Sequence, residues 1–522
     1  MNGATHETAP RHPSVGSAMF GAVTAADSVM DFPTAASSTT SATSGSPASS
    51  RHSSAAASLA TSGGLTRRSS RVATIGGIKH PTLSTEDVTA ATISDGKSKI
   101  LDSSEDRTGA EGSVLEPSGT ILSLWTVLSK TMIGVGMLGL AYSVSRCGWV
   151  IGLLAILISG LASLFTLHLL NRCALKLEVR PMSFFVISQA CSPRSRWIVD
   201  TILVITSIGV CIVYLQVVGN MLEPLIARWI PIIPDTIGSF ATRAILILIC
   251  VAIVSPVCFW RSAGNTAIVN MVGLLSLVYV VILGIVYSDC SRAEENTRVW
   301  PPANFWTVMG VLPIIIMSFG CHMNAFLVTD DLKNRTQLRV DIVSTAAIAT
   351  AIVIFIPAMV FPYITFGYNV EALSLQNLSV NYIPVQIGYL ALAVSEVCSF
   401  PLQVFPCRRS LTVLLTRGKE LKPAAELKLR IILTVGIVLI SLVVAIFVKS
   451  LGVTFSLLGL IGGDCTSFIM PCYLYCMLTR KNIEEEGRVT WYLSAVIFVI
   501  GLALVPICLY GIIYTDILHP GS

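Results

Sequence analysis

Charged residues are scarce in this chain. They make up 12% of its 522 residues, while hydrophobic residues reach 53%. Soluble globular proteins carry about 25% charged residues. The apolar residues come in stretches of about 20, the length that a helix needs to cross a bilayer core. This composition excludes an ordinary soluble enzyme and predicts an all-α, multi-pass membrane protein.

Motifs for hydrolytic or redox chemistry are also missing. Most of the 14 cysteines lie in or beside apolar segments, where a thiol behaves as a small buried apolar group. No two CxxC pairs have zinc-type spacing, no glycine-rich phosphate loop follows a strand pattern, and no nucleophile elbow is present. We therefore expect no enzyme activity, metal or cofactor. The expected partners are a lipid bilayer and a small substrate, with no nucleic acid and no obligate protein partner.

Residues 1–117 differ in kind from the rest. They hold nine Lys/Arg and eleven Asp/Glu, and up to about residue 64 they are dominated by Ala, Ser, Thr and Gly. A segment so poor in large apolar side chains cannot offset the entropy cost of ordering. No apolar run of signal-peptide length follows Met1. We predict a disordered cytosolic tail over 1–117 and a transmembrane domain over 118–522.

Eleven apolar segments are predicted to span the membrane. Lys and Arg near membrane ends are held on the cytoplasmic side. With the tail inside, the cytoplasmic loops hold 19 basic residues and the opposite loops hold six. The N-terminus is then cytosolic and the C-terminus extracellular or lumenal. The predicted spans are 120–144, 149–171, 198–222, 240–258, 264–287, 306–327, 341–366, 383–405, 429–447, 451–478 and 490–514.

The predicted orientation places the two glycosylation sequons on opposite sides of the membrane. Asn377 would face the outer or lumenal side and is a candidate for glycan attachment, whereas Asn334 would face the cytosol.

The first span has glycines at its centre. Gly134 and Gly136 are two residues apart and lie on different helix faces, so one packing interface would not use both. Close helix packing through small residues is the alternative. A local unwinding would instead free backbone amides at the start of a second half-helix, which would bind a carboxylate. The substrate-binding candidates at this break are Thr131, Gly134, Val135, Gly136 and Met137.

The sixth span has a matching break over 318–324, with Pro313 upstream. Breaks five spans apart are expected for an inverted five-helix repeat with a binding site at the membrane midplane. Tyr214 in the third span is a candidate wall residue, although aromatic groups in helices more often only pack. The substrate-binding candidates of the sixth span are Phe319, Gly320, Cys321 and Asn324.

Three ordered motifs resemble the amino acid/auxin permease family: G-x-GMLGL-x-Y over 134–142, SF-x-CH-x-N over 318–324 and SFPLQVFPCR over 399–408. The resemblance covers nearly everything after Pro117. It implies a LeuT-type fold with a 5+5 inverted repeat, broken helices 1 and 6, and amino acid transport driven by sodium or protons. The chain resembles proton-coupled, vacuolar-type and sodium-coupled neutral amino acid transporters of this family. Ala141 stands where the family commonly has proline.

Ionisable groups inside apolar spans are candidates for ion coupling, because a charge there costs about 2.5–3.5 kcal/mol on insertion scales. Lys130 lies one turn before Gly134, and its ammonium can occupy a sodium site as a built-in cation. Sodium-coupled relatives tend to carry Asn at this place, so the resemblance favours protons over sodium. The alternative is that Lys130 snorkels to the cytoplasm. The candidates are Lys130, His168, His322, Glu396, Ser399 and Asp464.

Three of the other candidates, His168, Glu396 and Asp464, each have two interpretations. Either His168 carries a proton, as its similarity to a histidine of proton-coupled relatives implies and as the chemistry of imidazole allows, or it is hydrogen-bonded near the interface. Glu396 shares a helix face with Ser399, whose hydroxyl matches a second sodium site of the family. Glu396 either pairs with Lys130 or accepts a proton. Asp464 follows a glycine-rich turn; it either takes part in ion coupling or lines a hydrated cavity.

The sequence thus predicts a secondary active or facilitative amino acid carrier that works by alternating access, with the substrate carboxylate on the Gly134–Gly136 backbone. The alternatives are an amino acid sensor that signals through its tail and a sodium-coupled symporter. The motifs are shared by surface and vacuolar-type relatives, so a plasma membrane and a vacuolar or lysosome-like membrane both stay open.

Overall fold

The computed structural model describes residues 119–177, 182–192, 195–259, 267–292, 297, 304–416 and 421–518. The predicted tail, 1–117, lies outside these ranges. Within them the chain is helical, and the β-type pairing there is one parallel bridge between Gly119 and Leu332.

Eighteen α-helices are found in the described ranges. They are α1 (Ile121–Met132), α2 (Val135–Leu138), α3 (Leu140–Cys147), α4 (Trp149–Leu177), α5 (Phe184–Cys191), α6 (Ser195–Trp229), α7 (Ile232–Ile237), α8 (Ser239–Cys258), α9 (Ala267–Val286), α10 (Phe305–Ser318), α11 (Ala325–Asp331), α12 (Gln337–Phe366), α13 (Ile383–Thr416), α14 (Pro423–Phe447), α15 (Leu451–Leu458), α16 (Met470–Thr479), α17 (Ile483–Glu486) and α18 (Arg488–Ile513).

Nine helical stretches in the described part of the chain are long and apolar enough to cross a membrane. They are α4, α6, α8, α12, α13, α14 and α18, together with the composite stretches Phe305–Asp331 and Leu451–Thr479. A tenth is obtained when Ile121–Met132 and Gly136–Cys147, which meet at 47°, count as one bent span. The apolar part of α9, Val272–Val286, is shorter and falls on the fifth predicted span. The sequence predicted eleven spans, whereas nine or ten helical stretches of the described residues are long and apolar enough to cross a membrane.

The helices correspond in order to the predicted spans. The first span consists of α1 to α3, the second is α4, the third α6, the fourth α8, the fifth α9, the sixth α10 with α11, the seventh α12, the eighth α13, the ninth α14, the tenth α15 to α16, and the eleventh α18.

Local sequence explains where several helices begin and end. The Thr120 hydroxyl accepts a hydrogen bond from the Ser123 amide and caps α1, and Thr336 caps α12 in the same way. Each cap contributes about 1 kcal/mol. α3 ends at Gly148, whose φ of +74° is a conformation that glycine adopts without steric cost.

The tenth span is not α-helical throughout. Gly459–Ile469, between α15 and α16, forms eleven residues of π-helix. We call this stretch the π segment. Such i to i+5 bonding is rare, and it occurs frequently at functional sites.

The helices pack in two groups. In the first group, α12 of the seventh span contacts α1 and α4, and α10 of the sixth span contacts α4 and α3. The third, fourth, eighth and ninth spans contact one another through α6, α8, α13 and α14 and enclose a buried apolar cluster of their own. Large apolar side chains on the outside, such as Leu161, Ile253 and Phe447, give the surface that a helix needs in lipid.

Candidate functional site

The interruptions of the first and sixth spans lie against each other. α1 ends at Met132 and α2 begins at Val135, whereas α10 ends at Ser318 and α11 begins at Ala325. The side-chain amide of Asn324 donates a 2.7 Å hydrogen bond to the Thr131 hydroxyl. Two residues that the sequence proposed for substrate binding are thus in direct contact across the two breaks.

Gly134 and Gly136 are in different surroundings. A Cβ on Gly136 would collide with the backbone of Ser318, so close packing against the sixth span requires glycine there. At Gly134 an added Cβ would have the Thr131 carbonyl oxygen as its nearest neighbour, at 3.4 Å. Packing therefore explains Gly136 and leaves Gly134 unexplained. The side chain of Val135 lies outside the described residues.

Met137 is buried one turn further along. With Leu138 it lines a mainly apolar cavity whose other walls come from the fifth and seventh spans and from the loop after α12. This part of the first span therefore packs against apolar groups.

The break of the sixth span is held by its own turns and by the second span. The amide of Gly320 donates to the Met317 carbonyl at 2.8 Å, and that of Cys321 donates to the Phe319 carbonyl at 2.9 Å. The Ser163 hydroxyl of α4 also donates to the Phe319 carbonyl, at 3.1 Å. Cys321 is fully buried. These bonds satisfy backbone groups that an interrupted helix would otherwise leave open.

The Phe319 ring lies against the second and seventh spans. It forms an edge-to-face contact with Phe355 of α12, with ring centroids 5.2 Å apart. A Cβ on Gly160 of α4 would lie 3.3 Å from the same ring. The sequence proposed Phe319 as a substrate-binding residue; in this conformation its side chain packs between the second and seventh spans.

His322 lies in the turn between α10 and α11 and is fully buried. Its Nε2 is 2.9 Å from the Thr166 hydroxyl of α4. Thr166 was not among the sequence candidates, because a lone threonine in an apolar span gives no signal of its partner.

Lys130 extends towards the fifth and eighth spans. A Cβ on Gly273 of α9 would lie 3.9 Å from the Lys130 Nζ and 2.9 Å from the Ser395 hydroxyl of α13. Lys130 and buried Glu396 influence each other electrostatically, without a direct ion pair between these two described residues. This placement differs from snorkelling to the cytoplasm.

Two further candidates lie around Glu396. The Ser399 hydroxyl donates to the Ser395 carbonyl at 2.8 Å, within its own helix. Tyr214 of α6 is half-buried and is influenced electrostatically by Glu396. The structure therefore brings Lys130, Glu396, Ser399 and Tyr214 into one region between the two helix groups.

His168 is not part of that region. Its Nδ1 is 2.8 Å from Oδ2 of Asp341, and the Gln337 amide donates to Oδ1 of Asp341 at 2.9 Å. Both partners belong to the first turns of α12. The side chain of His168 is 36% exposed, so this pair joins the second and seventh spans at a partly open position. Asp341 was not among the sequence candidates.

Two candidates lie outside the first and sixth spans. Asp464 lies on the π segment, 1% exposed. Asn377 closes the loop after α12, because its Oδ1 accepts from the Glu371 amide at 2.8 Å and its Nδ2 donates to the Asn369 carbonyl at 2.9 Å. Among the described residues, no group of His, Cys, Asp and Glu could hold a metal ion.

A family model described as "Transmembrane amino acid transporter protein" matches residues 117–514. The chain belongs to the transmembrane amino acid transporter family. This membership identifies the helical domain as a transporter and agrees with the expectation that the chain is not an enzyme.

Curated relatives of this amino acid transporter cover most of its length. "Vacuolar amino acid transporter 5" of Schizosaccharomyces pombe is 26% identical over 395 residues, which are 73% of this chain and 91% of the relative. "Vacuolar amino acid transporter 5" of Saccharomyces cerevisiae is 25% identical over 455 residues, 76% of this chain and 98% of the relative. "Vacuolar amino acid transporter 6" of the same yeast is 23% identical over 440 residues, 73% and 96% respectively.

Proposed function

We propose that this transporter moves amino acids by alternating access and holds the substrate carboxylate on the Gly134–Gly136 backbone. The observation that carries the proposal is the contact of the two helix breaks through Asn324 and Thr131. The first amides of a helix have no partner within the helix, and those at the start of a half-helix suit an anion because the helix dipole is positive there. A Cβ on Gly134 would meet the Thr131 and Lys130 carbonyl oxygens of its own turn, at 3.4 and 3.7 Å, and no atom of another span within 4 Å, which supports the approach of a ligand to that backbone.

The proposed architecture has eleven spans in a LeuT-type 5+5 inverted repeat. The first, second, sixth and seventh spans move as one unit against the third, fourth, eighth and ninth. The separate packing of these two groups supports the division, as does the buried apolar cluster within the second group. The substrate site then lies where the two groups meet.

Coupling to protons, or sodium-independent transport, follows from the position of Lys130. Its ammonium lies beside Gly273 and Ser395 and acts on Glu396. A fixed positive charge in this region repels a sodium ion, since two like charges about 4 Å apart repel each other by about 4 kcal/mol near a protein surface. Glu396 is the group in this region that binds the coupled proton.

We place the protein in a vacuolar-type membrane, because the relatives that it matches along most of their length are vacuolar amino acid transporters. The N-terminus faces the cytosol and the C-terminus the lumen, as the distribution of Lys and Arg favours.

The test is uptake by the purified full-length chain in proteoliposomes. Neutral, basic and acidic amino acids are offered with a pH gradient, a sodium gradient, both or neither. We expect concentrative uptake with the pH gradient alone, or sodium-independent equilibration of at least one amino acid. Uptake that requires sodium and ignores pH would support the symporter alternative. Saturable binding without flux would support a sensor.

A further inference from the structure

Asp464 is buried without compensation. Both of its carboxylate oxygens lack a hydrogen-bond partner among the described residues, and the residue is 1% exposed. Buried polar groups in proteins are nearly always hydrogen-bonded, and an exception calls for an explanation. An ionised carboxylate without a partner costs several kcal/mol inside a membrane protein. A neutral carboxyl group would avoid this cost.

Asp464 has no salt-bridge partner in the part of the chain that the structure describes. The titratable groups that it influences are the thiols of Cys465, on the π segment, and Cys508, on α18. His322 lies on the turn that contacts the π segment from the sixth span. The environment around Asp464 therefore differs from that of Glu396, which has Lys130 nearby.

The π segment connects Asp464 to the sixth span through backbone contact. A Cβ on Gly463 would lie 2.9 Å from the Met317 Cα, and one on Gly459 would collide with the Pro313 carbonyl. On the other side, a Cβ on Gly501 of α18 would lie 3.4 Å from Oδ1 of Asp464. The π segment, which carries Asp464, is thus packed between α18 and α10, the half-helix that leads to the break of the sixth span.

We propose that Asp464 is a second proton-binding site, which releases its proton to water when the π segment separates from α18 and must be protonated again before the two repack. The step moves one proton between the carboxyl oxygen and water and makes or breaks no other bond. Because the π segment contacts the sixth span, this protonation is linked to movement of the half-helix that carries Met317 and Ser318. This role rests on the proposed function, in which protons accompany transport.

The first experiment reads the protonation directly. Infrared spectra of the full-length protein in lipid at neutral pH are compared for the wild type, Asp464→Asn, Asp464→Glu and Glu396→Gln. A neutral carboxylic acid has a carbonyl band that ionised carboxylates lack. We expect a band that disappears in Asp464→Asn, shifts in Asp464→Glu and persists in Glu396→Gln. An Asp464→Asn spectrum identical to the wild type would overturn the proposal.

The second experiment measures flux. Asparagine resembles the permanently protonated acid, so we expect Asp464→Asn to keep amino acid exchange at equal pH and to lose stimulation by a pH gradient, with Asp464→Glu restoring it. Ser456→Ala, a buried hydroxyl of α15 outside the π segment, is the matched control and should keep both. Equal loss of exchange and of stimulation in Asp464→Asn would indicate a structural role and contradict the proposal.

The two experiments separate this proposal from the proposed function. If the wild type carried no amino acid, the transport proposal would fail while the infrared comparison still tested the proton on Asp464. If the wild type used a pH gradient and Asp464→Asn used it equally well, the proton site would be wrong and the transport proposal would stand.

Discussion

The Thr131 hydroxyl joins the two broken spans and uses its hydrogen-bonding capacity in two directions. It donates to the Val127 carbonyl at 2.9 Å in its own helix and accepts from the side-chain amide of Asn324 at 2.7 Å. The first bond orients the hydroxyl oxygen, and the second holds the start of α11 against the end of α1. A substitution of Thr131 or Asn324 is therefore expected to affect both half-helices.

Replacing both Thr131 and Asn324 should lower the stability little more than replacing one of them. We expect Thr131→Val and Asn324→Ala each to lower stability by about 1 kcal/mol and to lower transport, with a coupling energy of about 0.5–1.5 kcal/mol in the double variant. Thermal unfolding of the purified proteins gives the cycle. Thr131→Ser, which keeps the hydroxyl, is the control. Additive losses would show that the bond does not contribute.

Gly136 should tolerate no side chain. Gly136→Ala places a methyl group against the Ser318 backbone, and overpacking of this kind costs about 1–3 kcal/mol. We expect normal membrane insertion with strongly reduced uptake. The matched control is Gly436→Ala in α14, where an added Cβ meets nothing within 4 Å. Wild-type uptake by Gly136→Ala would contradict the observed approach of the two spans.

Neutralising Glu396 should rescue the loss of Lys130. Lys130→Ala leaves the buried Glu396 carboxyl without its neighbouring cation, and a buried charge without a compensating group destabilises the fold. We expect Lys130→Ala to lower the melting temperature and the membrane abundance, and Lys130→Ala/Glu396→Gln to recover most of both. Glu396→Gln alone is the control. A double variant less stable than Lys130→Ala would show that the two groups are independent.

Glycosylation at Asn377 tests the predicted orientation. Ser379→Ala removes the sequon at Asn377 and leaves the two hydrogen bonds of the Asn377 side chain in place. We expect this variant to lose the endoglycosidase-sensitive shift on a gel. Thr336→Ala, which removes the sequon at Asn334, should leave the shift unchanged. The reverse result would invert the predicted topology.

Features encoded in composition and in glycine positions were predictable from the sequence. The second span was predicted over 149–171 and the helix is Trp149–Leu177; its last turn was missed because Arg172 and Lys176 lie at the interface, where apolar periodicity ends. The eighth span was predicted over 383–405, but α13 continues to Thr416 past Pro401 and Pro406. Membrane helices tolerate proline because neighbouring groups satisfy the freed backbone.

Features that depend on tertiary contact were not predictable. The π segment falls in an apolar run, where a period of 3.6 residues and a wider helix give the same pattern. The partner of His168 is Asp341, 173 residues away, and no local spacing connects them. The sequence could also not separate Gly134 from Gly136, because the difference lies in what packs against each glycine.

The bridge between Gly119 and Leu332 determines where a pull on the N-terminal segment would act. The Gly119 amide donates to the Asp331 carbonyl at 2.8 Å, and the Lys333 amide donates to the Gly119 carbonyl at 3.1 Å. Gly119, the first residue that the structure describes, is therefore bonded to the end of α11, the short helix that Asn324 begins. Tension on that segment would reach α11 through two backbone hydrogen bonds, at the opposite end of the helix from its contact with Thr131.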